Sequence, residues 1–186
     1  MDLVNKFNFK NIGTIDVSNI KDIVLKFTKE DWNEFTFRQD KLSTHIDTFS
    51  IPLIFDTSFS TVKPVYQKWY SQVEDELNKI HDICRNVYSD GYIIRALFVN
   101  LPAGKSIPSH KDHGMSLLIS NRIHIPIITN DGVIFMVGGE SINMKEGEMW
   151  EINNGEKIHS VDNKSGHDRI HLIIDWTQTR EMIKAM

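Results

Sequence analysis

One cysteine, Cys84, is all that the chain's 186 residues contain. An internal disulfide is therefore excluded, and the fold must be held by packing and hydrogen bonds, as suits a reducing compartment; cytoplasm is the expectation. With five prolines and ten glycines, no tract is biased enough to be a repeat or a low-complexity linker. No stretch supplies the ~20 mainly apolar residues that a membrane-spanning helix needs. The opening MDLVNKFNFKNIG mixes polar and aromatic residues where a secretory signal would be uniformly apolar. Basic charge is also in short supply: 21 Lys and Arg stand against 25 Asp and Glu, for a net charge of −4. Binding to nucleic acid through its phosphates is disfavoured on that balance. A soluble protein with neither membrane nor nucleic-acid partners is expected, and the sequence leaves its oligomeric state open.

What the chain does have is hydrophobic pattern. Residues 18–27, SNIKDIVLKF, place Ile20, Ile23, Val24 and Phe27 at helical spacing behind Ser18. A longer helix is predicted from Val62 through Tyr66, Trp69, Val73, Leu77, Ile80, Cys84 and Val87, with Pro64 in its first turn. HIDTFSIPLIF (45–55) suits a strand. After SDG the chain reads as strand almost to its end, over 93–100, 117–129, 132–137, 148–153, 157–162 and 169–176, with turns such as TNDG, VGGE and NNGE between. A short helix is expected at 178–186. Strands on this scale preceded by helices predict an α+β, mainly β domain: a double-stranded β-helix of jelly-roll or cupin-like form, with N-terminal helices packed outside one sheet. One domain over 1–186 is expected, with 1–92 as support, 93–176 as the core and 177–186 as a C-terminal helix.

The chemistry gathers around PSHKDHG, residues 108–114. His110 and Asp112 are two apart, so an extended backbone projects both from one face. His159 follows 49 residues after His110 in a predicted strand. Two imidazoles and a carboxylate on one side of a metal leave its other positions open, as in non-haem Fe(II) oxygenases. HxD alone also fits a polar turn, and His45-Ile-Asp47 repeats the pattern; that second pair suits a half-exposed strand face. Arg169, ten residues after His159, shares a strand face with His171, Ile173 and Asp175, opposite Ile170, Leu172, Ile174 and Trp176. An inward guanidinium requires an anion, either Asp175 or a ligand. Arg122 and His124 alternate with Ile123, Ile125 and Ile127, so the isoleucines pack under helices and the polar pair points inward, or the strand is an edge and the pair is in water. Trp150 and Trp176 read as strand core, and Cys84 as a buried, inert thiol.

These residues together resemble the aspartyl/asparaginyl β-hydroxylases and the related free-proline hydroxylases among the Fe(II)/2-oxoglutarate-dependent oxygenases. The similarity runs through RALFVNLPAGKSIPSHKDHG, NRIHIPI, GEMWEINNGEKIHSVDN and DRIHLIIDW, residues 95–176. The resemblance implies His110, Asp112 and His159 as iron ligands. It also implies Arg169 as the grip on the distal carboxylate of 2-oxoglutarate, with Arg122 and His124 near its metal-bound end. Fe(II), 2-oxoglutarate and dioxygen are the implied cofactors, and the implied reaction hydroxylates an amino acid or a side chain in a peptide or protein while 2-oxoglutarate goes to succinate and CO2. Some animal aspartyl hydroxylases lack the carboxylate ligand, which Asp112 supplies here. Ten residues follow Trp176 where the proline enzymes carry a longer extension, so the resemblance does not carry free proline over as the substrate. His45, Asp47 and Trp150 are weak candidates for substrate contacts. A cupin-type metal or small-ligand binding protein without oxygenase activity is the alternative, although metal cupins usually present HxH; a nucleic-acid demethylase would share the triad but needs a basic groove.

Overall fold

The computed structural model describes residues 7–58 and 63–179. Ten strands are assigned: β1 (Phe9–Thr14), β2 (Phe49–Ile54), β3 (Gly91–Leu101), β4 (Ser106–His110), β5 (Asn121–Ile128), β6 (Val133–Val137), β7 (Glu140–Ile142), β8 (Glu148–Ile152), β9 (His159–Asn163) and β10 (Arg169–Gln178). They form two antiparallel sheets, one of six strands in the order β1-β8-β5-β10-β3-β2 and one of four in the order β4-β9-β6-β7. The helices are α1 (Ser18–Val24), α2 (Lys29–Glu34), α3 (Phe37–Lys41), α4 (Glu74–Tyr88) and α5 (Met115–Leu118). This is the mainly β jelly-roll architecture with helices outside the larger sheet.

The central strand β10 shows how the sequence sets the layers. Nine of its ten residues are buried, which an alternating pattern of apolar and polar residues does not by itself require. Ile170, Leu172, Ile174 and Trp176 join Ile123, Ile125 and Ile127 in a core with Ile20 and Val24 of α1 and Leu77, Ile80 and Cys84 of α4. Helices α1 and α4 therefore cover one face of the six-stranded sheet. Between the sheets lies a second apolar cluster around Leu101, Ile107, Phe135 and Val161. Arg169, His171 and Asp175 share that inner side and are themselves buried. Burying so much charge is costly unless it is paired or used, so this stripe marks the working face of the sheet.

Local signals explain the helices. Thr28 and Asp31 form a reciprocal capping box at the start of α2. In α4, acidic Glu74, Asp75 and Glu76 occupy the first turn, where they favour the helix dipole, and Leu77, Ile80, Cys84 and Tyr88 supply the buried stripe. Gly91, just beyond, pairs with Gln178 at the end of β10; a Cβ there would stand 2.5 Å from the Thr177 carbonyl oxygen. Glycine is the residue that permits this approach.

Several boundaries differ from the sequence reading. The long helix begins at Glu74, and its expected start at Val62 lies outside the described residues. Between them the chain runs along β2: Tyr66 bridges Ile54, Phe55 donates to the Val65 carbonyl, and Gln67 donates to that of Leu53. Pairing with the sheet edge thus overrides the helical spacing of Tyr66 and Trp69. Ser43–His45 form a 3-10 turn rather than the start of a strand, and β2 opens only at Phe49. Leu117 and Leu118 belong to α5, so β5 begins at Asn121. Strands β1, β4 and β7 were not anticipated. At the other end β10 runs to Gln178, where a helix was expected; the rest of that segment, from 180 on, lies outside the described residues. Among the described residues no helix is long and apolar enough to cross a membrane.

Candidate metal centre

The register of β4 against β9 places His110 opposite His159, and the two rings lie with centroids 4.2 Å apart. Asp112 follows just past the end of β4. One ligand atom from each of His110, Asp112 and His159 falls within 4.8 Å of the others. Asp112 Oδ1 is 3.7 Å from Nε2 of His110 and 3.9 Å from Nε2 of His159.

The partners on the far side of each ligand fix what it presents. His110 Nδ1 lies 2.7 Å from the Pro108 carbonyl, and His159 Nδ1 lies 3.4 Å from that of Lys157. A ring nitrogen beside a carbonyl must carry the proton, which leaves Nε2 with its lone pair on the side of the triad. The second oxygen of Asp112, Oδ2, accepts from Arg122 Nη1 and from Asn154 Nδ2 at 2.8 Å, while the Asp112 backbone N–H donates to the Asn154 carbonyl at 3.0 Å. Asn154 thus holds both the backbone and the side chain of Asp112.

Electrostatics favour the metal-binding forms of Asp112 and His159. Burial disfavours the Asp112 carboxylate, but Arg122, His159, Asn154 and His110 outweigh it and hold the group well below the usual carboxylate range. Burial pushes His159 down to about 4 against the attraction of Asp112, so it is neutral near pH 7. Arg122 is raised above the ordinary arginine range, its own burial being outweighed by Asp112 and Asp175. All three of its nitrogens are engaged by protein carboxylates, Nη1 by Asp112 and Nε and Nη2 by Asp175.

Arg169 is a different case. It is 1% exposed and forms no ion pair with a carboxylate among the described residues. Asp175, one of its two anticipated partners, is taken by Arg95 and Arg122 instead, because the two arginines stand directly across from Asp175 on β3 and β5. The guanidinium of Arg169 rests over the Phe135 ring at 5.8 Å and meets Nδ1 of His171 at 2.6 Å. Burial, with Arg38 adding repulsion, pushes its pKa down to about 9. Among the described residues Arg169 Nε, His171 Nε2 and His124 Nδ1 are buried with no hydrogen-bond partner, and the His124 ring lies 5.8 Å from that of His171. A cluster of donors and one uncompensated positive charge fits an anionic ligand.

The donor set suits Fe(II) as well. Two imidazoles and one carboxylate are of the right softness and number for an ion that keeps further positions for exogenous donors. The model of the aspartyl/asparaginyl β-hydroxylase family aligns with residues 7–179.

The chain belongs to the aspartyl/asparaginyl β-hydroxylase family.

As a member of that family it is an enzyme, a hydroxylase of the Fe(II)/2-oxoglutarate class. Solved structures with the same fold include a prolyl-4-hydroxylase from Pseudomonas putida, with a TM-score of 0.59, 11% identity and coverage of 93% of this chain and 94% of that one. The viral collagen prolyl hydroxylase of Paramecium Bursaria Chlorella virus-1 gives a TM-score of 0.56 at 9% identity, covering 96% and 100%. A 2OG-Fe(II) oxygenase family oxidoreductase from Burkholderia pseudomallei gives 0.56 at 15%, covering 70% and 67%. No curated protein sequence matches the chain. Identities this low speak for the fold, which family membership and these neighbours agree upon.

Of the weaker candidates, His45 is buried against the triad, its ring 5.3 Å from that of His110, and it lies beside the Arg38 guanidinium. The half-exposed strand expected there is thus replaced by a 3-10 turn whose His45 side chain is buried. Asp47 points to the surface and pairs with Lys105 at 3.0 Å. Trp150 donates to Glu148 and packs against Phe9 at the edge of the inter-sheet core. Arg38, Arg95 and Asn154 were missed by sequence reasoning. Asn154 stands in a run, NNGE, whose composition signals only a turn, and Arg38 lies in a helix with little periodicity to announce it.

Proposed function

We propose that His110, Asp112 and His159 hold Fe(II), and that Arg169 receives the distal carboxylate of 2-oxoglutarate, with His171 and His124 beside it. When bound, these two groups supply activation of dioxygen, with 2-oxoglutarate oxidised to succinate and CO2 and one oxygen atom entering a substrate C–H bond. The protein's part is to orient and exclude. Asp112 is kept ionised and pinned by Arg122 and Asn154, so one carboxylate oxygen remains for the metal. Backbone carbonyls at Nδ1 orient the rings of His110 and His159 with Nε2 toward the metal. Arg122 acts on the centre through Asp112, since all three of its nitrogens are already bonded. Leu97, Val99, Ile173 and Phe55 form a buried apolar cluster, and Leu97, Ile173 and Phe55 wall the cavity beside Asp112.

The observation that carries the reading is the pairing of a two-imidazole, one-carboxylate cluster with a buried arginine that has no carboxylate partner among the described residues. We take the substrate to be an amino acid or an amino-acid side chain in a peptide or protein. The enzyme acts as one domain, in a reducing compartment compatible with the free, buried Cys84. Purified protein with Fe(II), ascorbate and 2-oxoglutarate is expected to form succinate, and His110→Ala to abolish it. Mass spectrometry of free amino acids and of lysate is expected to find a gain of one oxygen that depends on 2-oxoglutarate. Failure of iron and 2-oxoglutarate to bind together would end the proposal.

A further inference from the structure

Arg38 is 7% exposed and sits in α3, on the side of the triad where β2 and β3 lie. Its Nη1 donates to Ser50 Oγ at 3.1 Å, and its Nη2 lies 3.1 and 3.2 Å from the two ring nitrogens of His45. Among the described residues it forms no ion pair with a carboxylate. Arg95 and Arg122, by contrast, share Asp175, and Arg122 also holds Asp112. A buried guanidinium ending on a hydroxyl and an imidazole keeps an uncompensated charge, and that is costly unless an anion completes it. Among the described residues this side of the sheet buries the guanidiniums of Arg38, Arg95, Arg122 and Arg169 against the carboxylates of Asp112 and Asp175. Fe(II) raises the positive excess and 2-oxoglutarate lowers it by as much, so an excess of two remains; with Arg169 given to the cosubstrate and Arg95 and Arg122 sharing Asp175, Arg38 is left without a carboxylate among the described residues.

Arg38 is also placed to be used. Together with Arg95, Asp112 and Arg122 it lines a cavity of about 40 Å³. That is a few times the ~10–15 Å³ a single water requires, and suits a carboxylate. The small cavity shares Leu42, His45, Asp112 and Leu117 with an outer one of about 450 Å³ that opens past His110 and is flanked by Lys41 and Lys111. Arg169 lines neither, so this route to the triad is separate from the one assigned to the cosubstrate.

We propose that Arg38, oriented by Ser50 and His45, anchors a carboxylate of the prime substrate, which enters through the outer cavity and is held beside the carboxylate ligand of the metal. The substrate class is then a carboxylate-bearing amino acid or peptide. That carboxylate has two chemically equivalent sources, the α-carboxylate of a free amino acid or chain end and the side chain of Asp or Glu. The inference rests on the functional reading above.

The test uses the full chain loaded with Mn(II), as a redox-silent probe, and 2-oxoglutarate. Calorimetry compares matched pairs: free amino acids against their amides, short peptides with free against amidated C-termini, and blocked Asp and Glu against blocked Asn and Gln. At least one carboxylate is expected to bind roughly tenfold or more tightly than its neutral partner, the increment of a charge-assisted hydrogen bond; which pair does so names the source. Arg38→Gln is expected to erase that preference while 2-oxoglutarate still binds. Arg38→Lys, which keeps the charge but loses the fork, is expected to reduce it and serves if the glutamine variant does not fold. Unfolding of the ligand-free variants controls for a structural role: removing an unpaired charge is expected to leave the melting temperature unchanged or higher, and a marked drop counts against the assignment. A wild type that prefers no carboxylate over its amide, or a folded variant that keeps the preference, overturns the proposal. Loss of Mn(II) or 2-oxoglutarate binding in the wild type instead strikes the functional reading, and the carboxylate comparison is then made on metal-free protein.

Discussion

Arg122 bonds the carboxylate oxygen of Asp112 other than the one nearest His110 and His159. The ligand is thereby fixed from behind without loss of its donor atom. Asn154 does the same work from the other side, and it carries no charge of its own. Asn154→Ala is therefore expected to leave the fold intact and to weaken Mn(II) or Fe(II) binding by roughly 10–100-fold, as loss of a group that orients a metal ligand usually does. Calorimetric titration of the metal measures it; an unchanged affinity would show that Asp112 is positioned without Asn154.

Removing Arg122 is a harsher change. Arg122→Met leaves Asp112 with one partner and Asp175 with Arg95 alone, all buried. Breaking a buried pair in this way costs about 3–5 kcal/mol. Denaturant unfolding of the metal-free variant is expected to show a loss of that order, accompanied by loss of metal binding.

Arg169 separates cosubstrate from metal. Arg169→Met is expected to raise the dissociation constant of 2-oxoglutarate roughly tenfold to a hundredfold, by loss of a charged hydrogen bond, with metal affinity retained. The wild type is expected to gain about 2.7 kcal/mol of stability at a hundredfold excess over its dissociation constant, and the variant only about 0.4–1.4 kcal/mol at the same concentration. Thermal shifts with and without 2-oxoglutarate give the answer.

How much of this could be read in the sequence follows from what fixes each residue. The alternation of Ile123, Ile125 and Ile127 with Arg122 and His124, and the same alternation in β10, described both faces of the central strands, because a strand's two sides are set by its own residues. Spacing also brought His110 and Asp112 together. That His159 stands opposite His110, and that Asp175 is claimed by Arg95 rather than Arg169, depends on register between strands far apart in the chain, which no local pattern records. The N-terminal region was the least legible. Tyr66 and Trp69 follow a helical period while the backbone pairs with β2, and Arg38 and His45 acquire meaning only through the strands they pack upon.

Acid sensitivity follows from the buried histidines. Burial holds His159 at about 4 and His45 at about 2, the latter with help from Arg38 and His110, and it keeps His124 and His171 well below 6.5. In the unfolded chain each titrates near ~6.5. Below that pH the unfolded state takes up protons that the folded state refuses, so stability is complete above about 6.5 and falls on acidification. For His159 the loss runs from about 6.5 down to about 4 and amounts to about 3 kcal/mol. Urea midpoints of the metal-free protein at pH 7.5, 6 and 5 are expected to decline in that order; a flat or rising series would contradict the neutral assignment.

Packing under the helices can be tested apart from the chemistry. Ile125 is fully buried between the larger sheet and the helical layer. Ile125→Ala is expected to cost about 2–5 kcal/mol in denaturant unfolding, while the metal-binding triad, which lies on the opposite side of the sheet, retains its affinity.

The most direct measurement is iron-edge anomalous scattering from crystals grown without oxygen in Fe(II) and 2-oxoglutarate. One iron peak is expected among His110 Nε2, His159 Nε2 and Asp112 Oδ1, with the distal carboxylate of 2-oxoglutarate on Arg169. Iron bound elsewhere, or a cosubstrate whose carboxylate lies away from Arg169, would contradict the account.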